Sequence, residues 1–288
     1  MSKRIAPALA VGVLLVTSAA AIAMGGSVPR AHVGGYPTET DSPARAARAF
    51  PKPARPRAPA LFGRTPEPVA PSPSPAPTSV KPDGIPAAEV GSLVLNDSAA
   101  DIWNTWDHTS PPAGADCATF GTVALSSAGL DLTTDGQFGN CAKITSTAAY
   151  GYGIFEARIW VQASSDGTIA NWPAFYLAGP DWPVGGEIDG FEGMGGYDSA
   201  SFHYGADDAM LTEQDRALQP GWNVVDVVWE PQTLVVYYNG QKFVTWDSPV
   251  ITSQPMWITF DVTTGTDGDT TGQPSSMAVD YLRIWRNA

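Results

Sequence analysis

From residue 90 onward the chain is cut into short apolar runs, and this pattern limits what it can fold into. Leu130–Thr133, Ile154–Trp160, Val224–Trp229 and Val279–Trp285 are each four to seven residues long. They are rich in β-branched and aromatic side chains, and their apolar residues alternate or form brief blocks, which predicts strands. Gly, Pro, Asp and Asn fall between them and mark turns. Asn239-Gly240, between Leu234–Tyr238 and Lys242–Trp246, predicts a two-residue hairpin turn, because both central positions of that turn need positive φ. No long amphipathic helix is visible; Asp207–Leu218 has room for a turn or two. Many short strands must bury their apolar sides against one another, so the expected fold is all-β, a sandwich or jelly roll.

The first 88 residues obey different rules. Of 26 prolines, 16 precede residue 90. Residues 1–88 carry a net charge of +6, and residues 89–288 carry −19. Lys3 and Arg4 precede an apolar run from Ile5 to Met24 with small residues at Ala21 and Ala23. Residues 1–24 therefore read as a cleaved signal peptide or as an uncleaved anchor through residues 5–24. Either places the acidic part outside the cytoplasm, secreted or held at the outer face of the membrane. Residues 25–88, rich in Pro, Ala, Ser and Arg, read as a disordered linker. Residues 89–288 are long enough for one substantial core. Their charge excludes nucleic acid and anionic membrane surfaces as partners, since both would repel it. A neutral polymer is compatible. Cys117 and Cys141 are the two cysteines, read as one disulfide in an exported protein, with two buried free thiols as the alternative.

Three acids occur within six residues in Gly186-Glu187-Ile188-Asp189-Gly190-Phe191-Glu192. Side chains alternate along a strand, so Glu187 and Asp189 share a face while Glu192 has the wrong parity. Left so, its carboxylate would point into the core at high cost. One extra residue in a β-bulge, with Gly190 as the suitable position, returns Glu192 to the face of the other two. Glu187 and Glu192 then stand four strand steps apart, roughly 13 Å at the backbone. Two long side chains can close most of that gap, toward the separation of about 5–5.5 Å that retaining glycosidases use. Crowded carboxyls cannot all ionise easily, which raises one pKa and leaves an acid beside a nucleophile. A solvated acidic strand face or a calcium site are the plainer readings of the same residues.

The surrounding segments resemble glycoside hydrolase family 16, in its laminarinase-like endo-β-1,3-glucanase branch. The resemblance rests on Trp172-Pro173-Ala174-Phe175-Tyr176-Leu177, Asp181-Trp182-Pro183 and the acid strand itself. It extends to Tyr152–Ile159 upstream, and downstream to Phe202-His203-Tyr204-Gly205, the stretch Val228–Gly240 and Val279–Ile284. It covers most of residues 90–288 in order. It implies a concanavalin-like jelly roll of two bent antiparallel sheets with a concave cleft, and a retaining mechanism. By motif position Glu187 would be the nucleophile, Glu192 the general acid/base, and Asp189 the group that tunes them. Gly190, Phe191 and Tyr176 depart from the residues usual there, which bears on substrate detail. The bulged spacing favours laminarinases over the unbulged lichenases.

A sugar ring stacks on a flat aromatic face, so Trp172 and Trp182, which flank the acid strand, are expected to bind substrate, with Trp257 and Tyr197 as weaker candidates. His203 is expected to face the cleft or to serve structure alone. The resemblance implies a structural calcium at Asp280 and no other cofactor. The expected protein is a monomeric, endo-acting glycosidase on a neutral β-glucan. The alternatives are action on another β-linked polymer such as a galactan, transglycosylation, and a non-catalytic carbohydrate-binding jelly roll.

Overall fold

The computed structural model describes residues 81–107, 119–127, 129–194, 196–264 and 272–288. The signal or anchor segment, residues 25–80 of the linker and Cys117 lie outside the described residues. In chain order the elements are β1 (Val90–Ser98), α1 (Ala99–Thr105), β2 (Thr119–Phe120), β3 (Thr122–Ser126), β4 (Gly129–Thr134), β5 (Asn140–Tyr150), β6 (Gly153–Val161) and β7 (Trp172–Ala178). There follow β8 (Glu187–Met194), β9 (Tyr197–Tyr204), β10 (Ala209–Asp215), β11 (Gly221–Glu230), β12 (Thr233–Tyr238), β13 (Gln241–Asp247), β14 (Met256–Thr263) and β15 (Ser275–Asn287).

They form two sheets. One runs β13-β12-β11-β6-β15-β4-β3 with β1 also paired to β15, and the other runs β10-β9-β8-β7-β14-β5-β2. All pairs are antiparallel except the two-residue β2, which lies parallel to β5. The expected jelly roll is thus present. The predicted hairpin is β12–β13, with Asn239 at φ 51° and Gly240 at φ 74°.

Strand alternation accounts for the core. On the first sheet Phe155, Ala157 and Ile159 of β6 and Val225, Val227 and Trp229 of β11 point inward. They meet Phe175 and Leu177 of β7, Ile188 and Phe191 of β8, Phe202 of β9, and Ile258 and Phe260 of β14. Phe175 and Phe260 stack with centroids 5.0 Å apart. Each of the larger of these side chains contributes roughly 1.5–3 kcal/mol by leaving water. The core clamps the inner face of the second sheet and leaves its outer face for other residues.

Three local expectations change. Asp207–Leu218 is not helical: Ala209–Asp215 is the edge strand β10, paired residue for residue with β9. The helix is α1, begun by a capping box in which the Asp101 carboxylate accepts the Ser98 backbone N–H at 3.0 Å and the Asp101 N–H reaches Ser98 Oγ at 3.4 Å. The last eight residues of the composition-defined linker, 81–88, are built onto the β domain. Ile85 is buried in a cluster with Ile154, Val228, Tyr237 and Trp285.

Candidate active site

The acid strand β8 lies between β7 and β9. Asp189 pairs with Ser201 and Glu192 with Ser199, so two residues of β8 oppose one of β9. On the other side Phe191 pairs with Phe175 and Asp189 with Tyr176, which leaves Gly190 as the extra residue. The bulge thus falls at Gly190, where parity required it. Gly190 faces inward, and a Cβ there would stand 2.6 Å from Val227 Cγ2. Ile188 and Phe191 are fully buried, and the three acids share the outer face.

The register places other side chains on that face. Across the sheet Met210, His203, Glu187, Ala178 and Trp257 form one row. Thr212, Ser201, Asp189, Tyr176 and Thr259 form the next. Gln214, Ser199, Glu192, Ala174, Asp261 and Lys143 form the third. Trp172 stands one step beyond, opposite Thr263.

Each acid has its own partner. Trp172 Nε1–H donates to Glu192 Oε1 at 2.9 Å, and Trp182 Nε1–H donates to Glu187 Oε2. Ser201 Oγ–H donates to Asp189 Oδ2 at 2.6 Å, with Glu192 Oε2 at 3.4 Å from the same hydroxyl. His203 Nε2 lies 3.3 Å from Asp189 Oδ2, and its Nδ1–H donates to Asp208 Oδ1 at 2.8 Å. Trp182 is 54% exposed and Trp257 38%, so both offer ring surface to the cleft. Trp172 is half-buried and spends its indole N–H on an acid.

Burial and crowding separate the two glutamates. Burial, then the charge of Asp189, pushes Glu187 up to about 8, against the opposing pull of His203, the Trp182 N–H and Lys143. Burial and then Asp189 hold Glu192 well above the usual carboxylate range; Glu187 adds to this, while the Trp172 N–H and His203 oppose it. At both glutamates Asp189 opposes the anion and His203 favours it; the difference is Lys143, which favours the anion of Glu187, and the charge of Glu187, which disfavours that of Glu192. Burial alone would push His203 down, but its contacts with Asp189 and Asp208, with Glu187 nearby, carry it up to about 10. Its two carboxylate neighbours, one at each ring nitrogen, favour the protonated ring.

The fold thus gathers Glu187, Asp189, Glu192, Trp172, Trp182, His203 and Trp257 on one sheet face. Asp280 is not among them. It sits in the other sheet at a register shift of β15 against β6, and its Oδ2 holds the Arg158 guanidinium at 2.6 Å. A calcium ion needs six to eight oxygens and a net negative site. A carboxylate already occupied by a cationic group does not fit that role. Glu187, Asp189 and His203 have donor atoms within 4.8 Å of one another, and each of them also has a protein partner here. Ser201, Asp208 and Lys143 were not read from the sequence, and Tyr176 was read only as a departure from the family pattern. Ser201 could have been found by counting the β8–β9 register across the bulge; the others carried no local signal.

Two packed sheets with a carboxyl-lined, tryptophan-flanked outer face define the class: a β-jelly roll with an open acidic cleft. The chain belongs to the glycosyl hydrolases family 16, whose model matches residues 115–283. An endo-1,3(4)-β-glucanase of Emericella nidulans is 38% identical over 68 residues, 24% of this chain and 10% of that enzyme's length. A family 16 protein of Bacteroides ovatus, solved with a mixed-linkage glucan product, superposes with a TM-score of 0.56 at 21% identity, covering 66% of this chain and 99% of that one. The laminarinase catalytic domain of Thermotoga maritima gives 0.57 at 17% identity, covering 69% and 100%.

Proposed function

We propose that this protein hydrolyses a β-linked glucan, rich in β-1,3 linkages, by internal cleavage with retention of anomeric configuration. The observation that carries this reading is the bulged strand with three carboxyls on one open face, Glu187 held by the Trp182 N–H and Glu192 by the Trp172 N–H. Glu187, with His203 and Lys143 favouring its anion, attacks the anomeric carbon as the glycosidic bond breaks. Glu192, kept protonated by burial and by Asp189, gives its proton to the departing oxygen. It then takes a proton from the water that releases the glycosyl-enzyme. Asp189 tunes both acids through its charge. Trp182 and Trp257 offer faces for sugar rings. The curated relative's activity on 1,3(4)-β-glucan supports the substrate class.

The same proposal includes export. The Lys3-Arg4 and Ile5–Met24 pattern acts as a signal peptide or a tether, and the domain works as a monomer outside the cytoplasm. Among the described residues no cysteine is free, which supports a Cys117–Cys141 disulfide.

The test is release of reducing ends from a panel of β-1,3-, mixed-linkage and β-1,4-glucans and galactans, with product lengths followed over time. Long products should appear before short ones, and β-1,3-containing glucans should react fastest. With Glu187→Ala and an activated β-glucoside, added azide should restore turnover and give the α-glucosyl azide, the single-inversion product expected at a vacated nucleophile position. Undiminished hydrolysis by Glu187→Gln would overturn the assignment.

A further inference from the structure

We infer that Asp208, in the turn between β9 and β10, is a positioning residue for the acid face, acting through the His203 ring. This rests on the reading of Glu187 as nucleophile. His203 is engaged at both nitrogens: Nδ1–H donates to Asp208 Oδ1 at 2.8 Å, and Nε2 faces Asp189 Oδ2 at 3.3 Å. Ionised carboxylates can only accept, so a ring held between two of them carries both protons. Asp208 therefore fixes the ring's orientation and its charge together.

The turn is shaped for this. Asp208 has φ +50°, a region that Asp tolerates better than most residues. Its N–H donates back to Gly205 O at 3.3 Å, which folds its carboxylate over the end of β9. The titratable groups facing His203 are Asp189 and Glu187, with Glu192 farther along, from β8 and Asp208 from the turn. From β10 the residue opposite is Met210, which carries no charge. The Trp182 ring lies 6.2 Å away, centroid to centroid. Without Asp208 the ring keeps one carboxylate, and rotation about its side-chain bonds swings Nε2 away. Asp189 and Glu187 then lose their fixed cation. Glu187 becomes harder to ionise, and the carboxyl that must attack is left in its unreactive form.

The experiment compares the full chain with Asp208→Asn and Asp208→Glu. NMR of the imidazole groups reads the link directly, with His203 identified among the chain's three histidines by the signal lost in His203→Gln. Asp208→Asn should lower the His203 titration by about 1–3 pH units, the effect of removing a close opposite charge. On β-1,3-glucan kcat should fall about ten- to a hundredfold through lost alignment, with KM moving less than about twofold. The acid limb of the kcat profile should shift to higher pH. Asp208→Glu should recover part of each change. An unmoved His203 titration overturns the inference. So does a loss confined to thermal stability, with the pH profile in place. Should the parent chain cleave none of the polysaccharides while His203 still responds to Asp208, the hydrolase reading falls and the link stands.

Discussion

Among the described residues two clusters of neighbouring acids stand out, and they behave differently. On the cleft sheet stand Glu187, Asp189 and Glu192. On the outer face of the other sheet, neighbouring strands bring Asp226, Glu156, Arg283 and Asn96 into one row. Burial is the leading cause of the raised pKa for Glu156 and Asp226, as it is for Glu187 and Glu192. A raised carboxyl pKa therefore does not mark the catalytic face. The partners and the access differ. Glu156 Oε1 accepts Arg283 Nη1–H at 3.2 Å, and Arg283 Nε–H donates to Asn96 Oδ1 at 3.0 Å. Asp226 is closed off from solvent. In the cleft the acids lean on indole and hydroxyl donors and face exposed aromatic rings, and Glu187 and Glu192 keep partial exposure although Asp189 between them is buried. Perturbed ionisation is evidence of function where a substrate can reach it.

The contrast breaks most sharply if one acid is removed from each cluster. Glu187→Gln should lower kcat by about 10⁴-fold or more, in line with losing a covalent nucleophile, while urea melts show no loss of stability. Glu156→Leu should do the reverse. It strands the buried Arg283 charge and should cost about 3 kcal/mol, the lower end for breaking a buried pair. Asn96 and the Tyr281 ring, 4.0 Å from the guanidinium, still hold Arg283 in part. The folded variant should keep kcat within about twofold. Loss of turnover in a fully stable Glu156→Leu protein would erase the distinction between the clusters.

A smaller effect is expected at the bulge, where the cleft acids depend on the core. A methyl group at Gly190 meets Val227 Cγ2, so Gly190→Ala should cost about 1–3 kcal/mol by overpacking. It should also lower kcat by displacing Glu192 from Glu187. Pairing with Val227→Ala opens the space and should restore both stability and rate. Rescue of stability without rate would mean that the bulge serves packing alone.

The fold was legible because its signals are local: alternation for strands, Asn-Gly for the β12–β13 turn. The bulge was legible because parity left Glu192 no other face. Helix α1 escaped notice because it is seven residues long and has little periodicity to show; its capping box is the readable trace. Strand β10 is an exposed edge and carries almost no apolar pattern. Asp208 and Lys143 reach the site through turn geometry and sheet register, which depend on distant strands. At Asp280 the motif position was readable, but the guanidinium of Arg158 comes from another strand. Ile85 lay hidden in proline-rich composition although it packs on the domain.

The finest comparison is between the two indole donors. Trp172 is half-buried and serves Glu192, while Trp182 is exposed and serves Glu187. Trp182→Phe keeps an aromatic face for sugar but removes the N–H that stabilises the Glu187 anion. A hydrogen bond to a charged group is worth about 1.5 kcal/mol at the low end, fitting for this open site, and that equals about one pH unit. Removing a bond to the ionised form favours the protonated form, so Glu187, already at about 8, should ionise at still higher pH. The acid limb of kcat/KM should move up by about one unit, with rates falling up to about tenfold below it and converging with the parent above it. Trp172→Phe acts on the acid that the proposed mechanism needs protonated; raising Glu192 further should leave the acid limb in place. A pH–rate profile of the two variants side by side checks this. Equal displacement of the acid limb in both would mean that the indoles do not divide the roles of the glutamates.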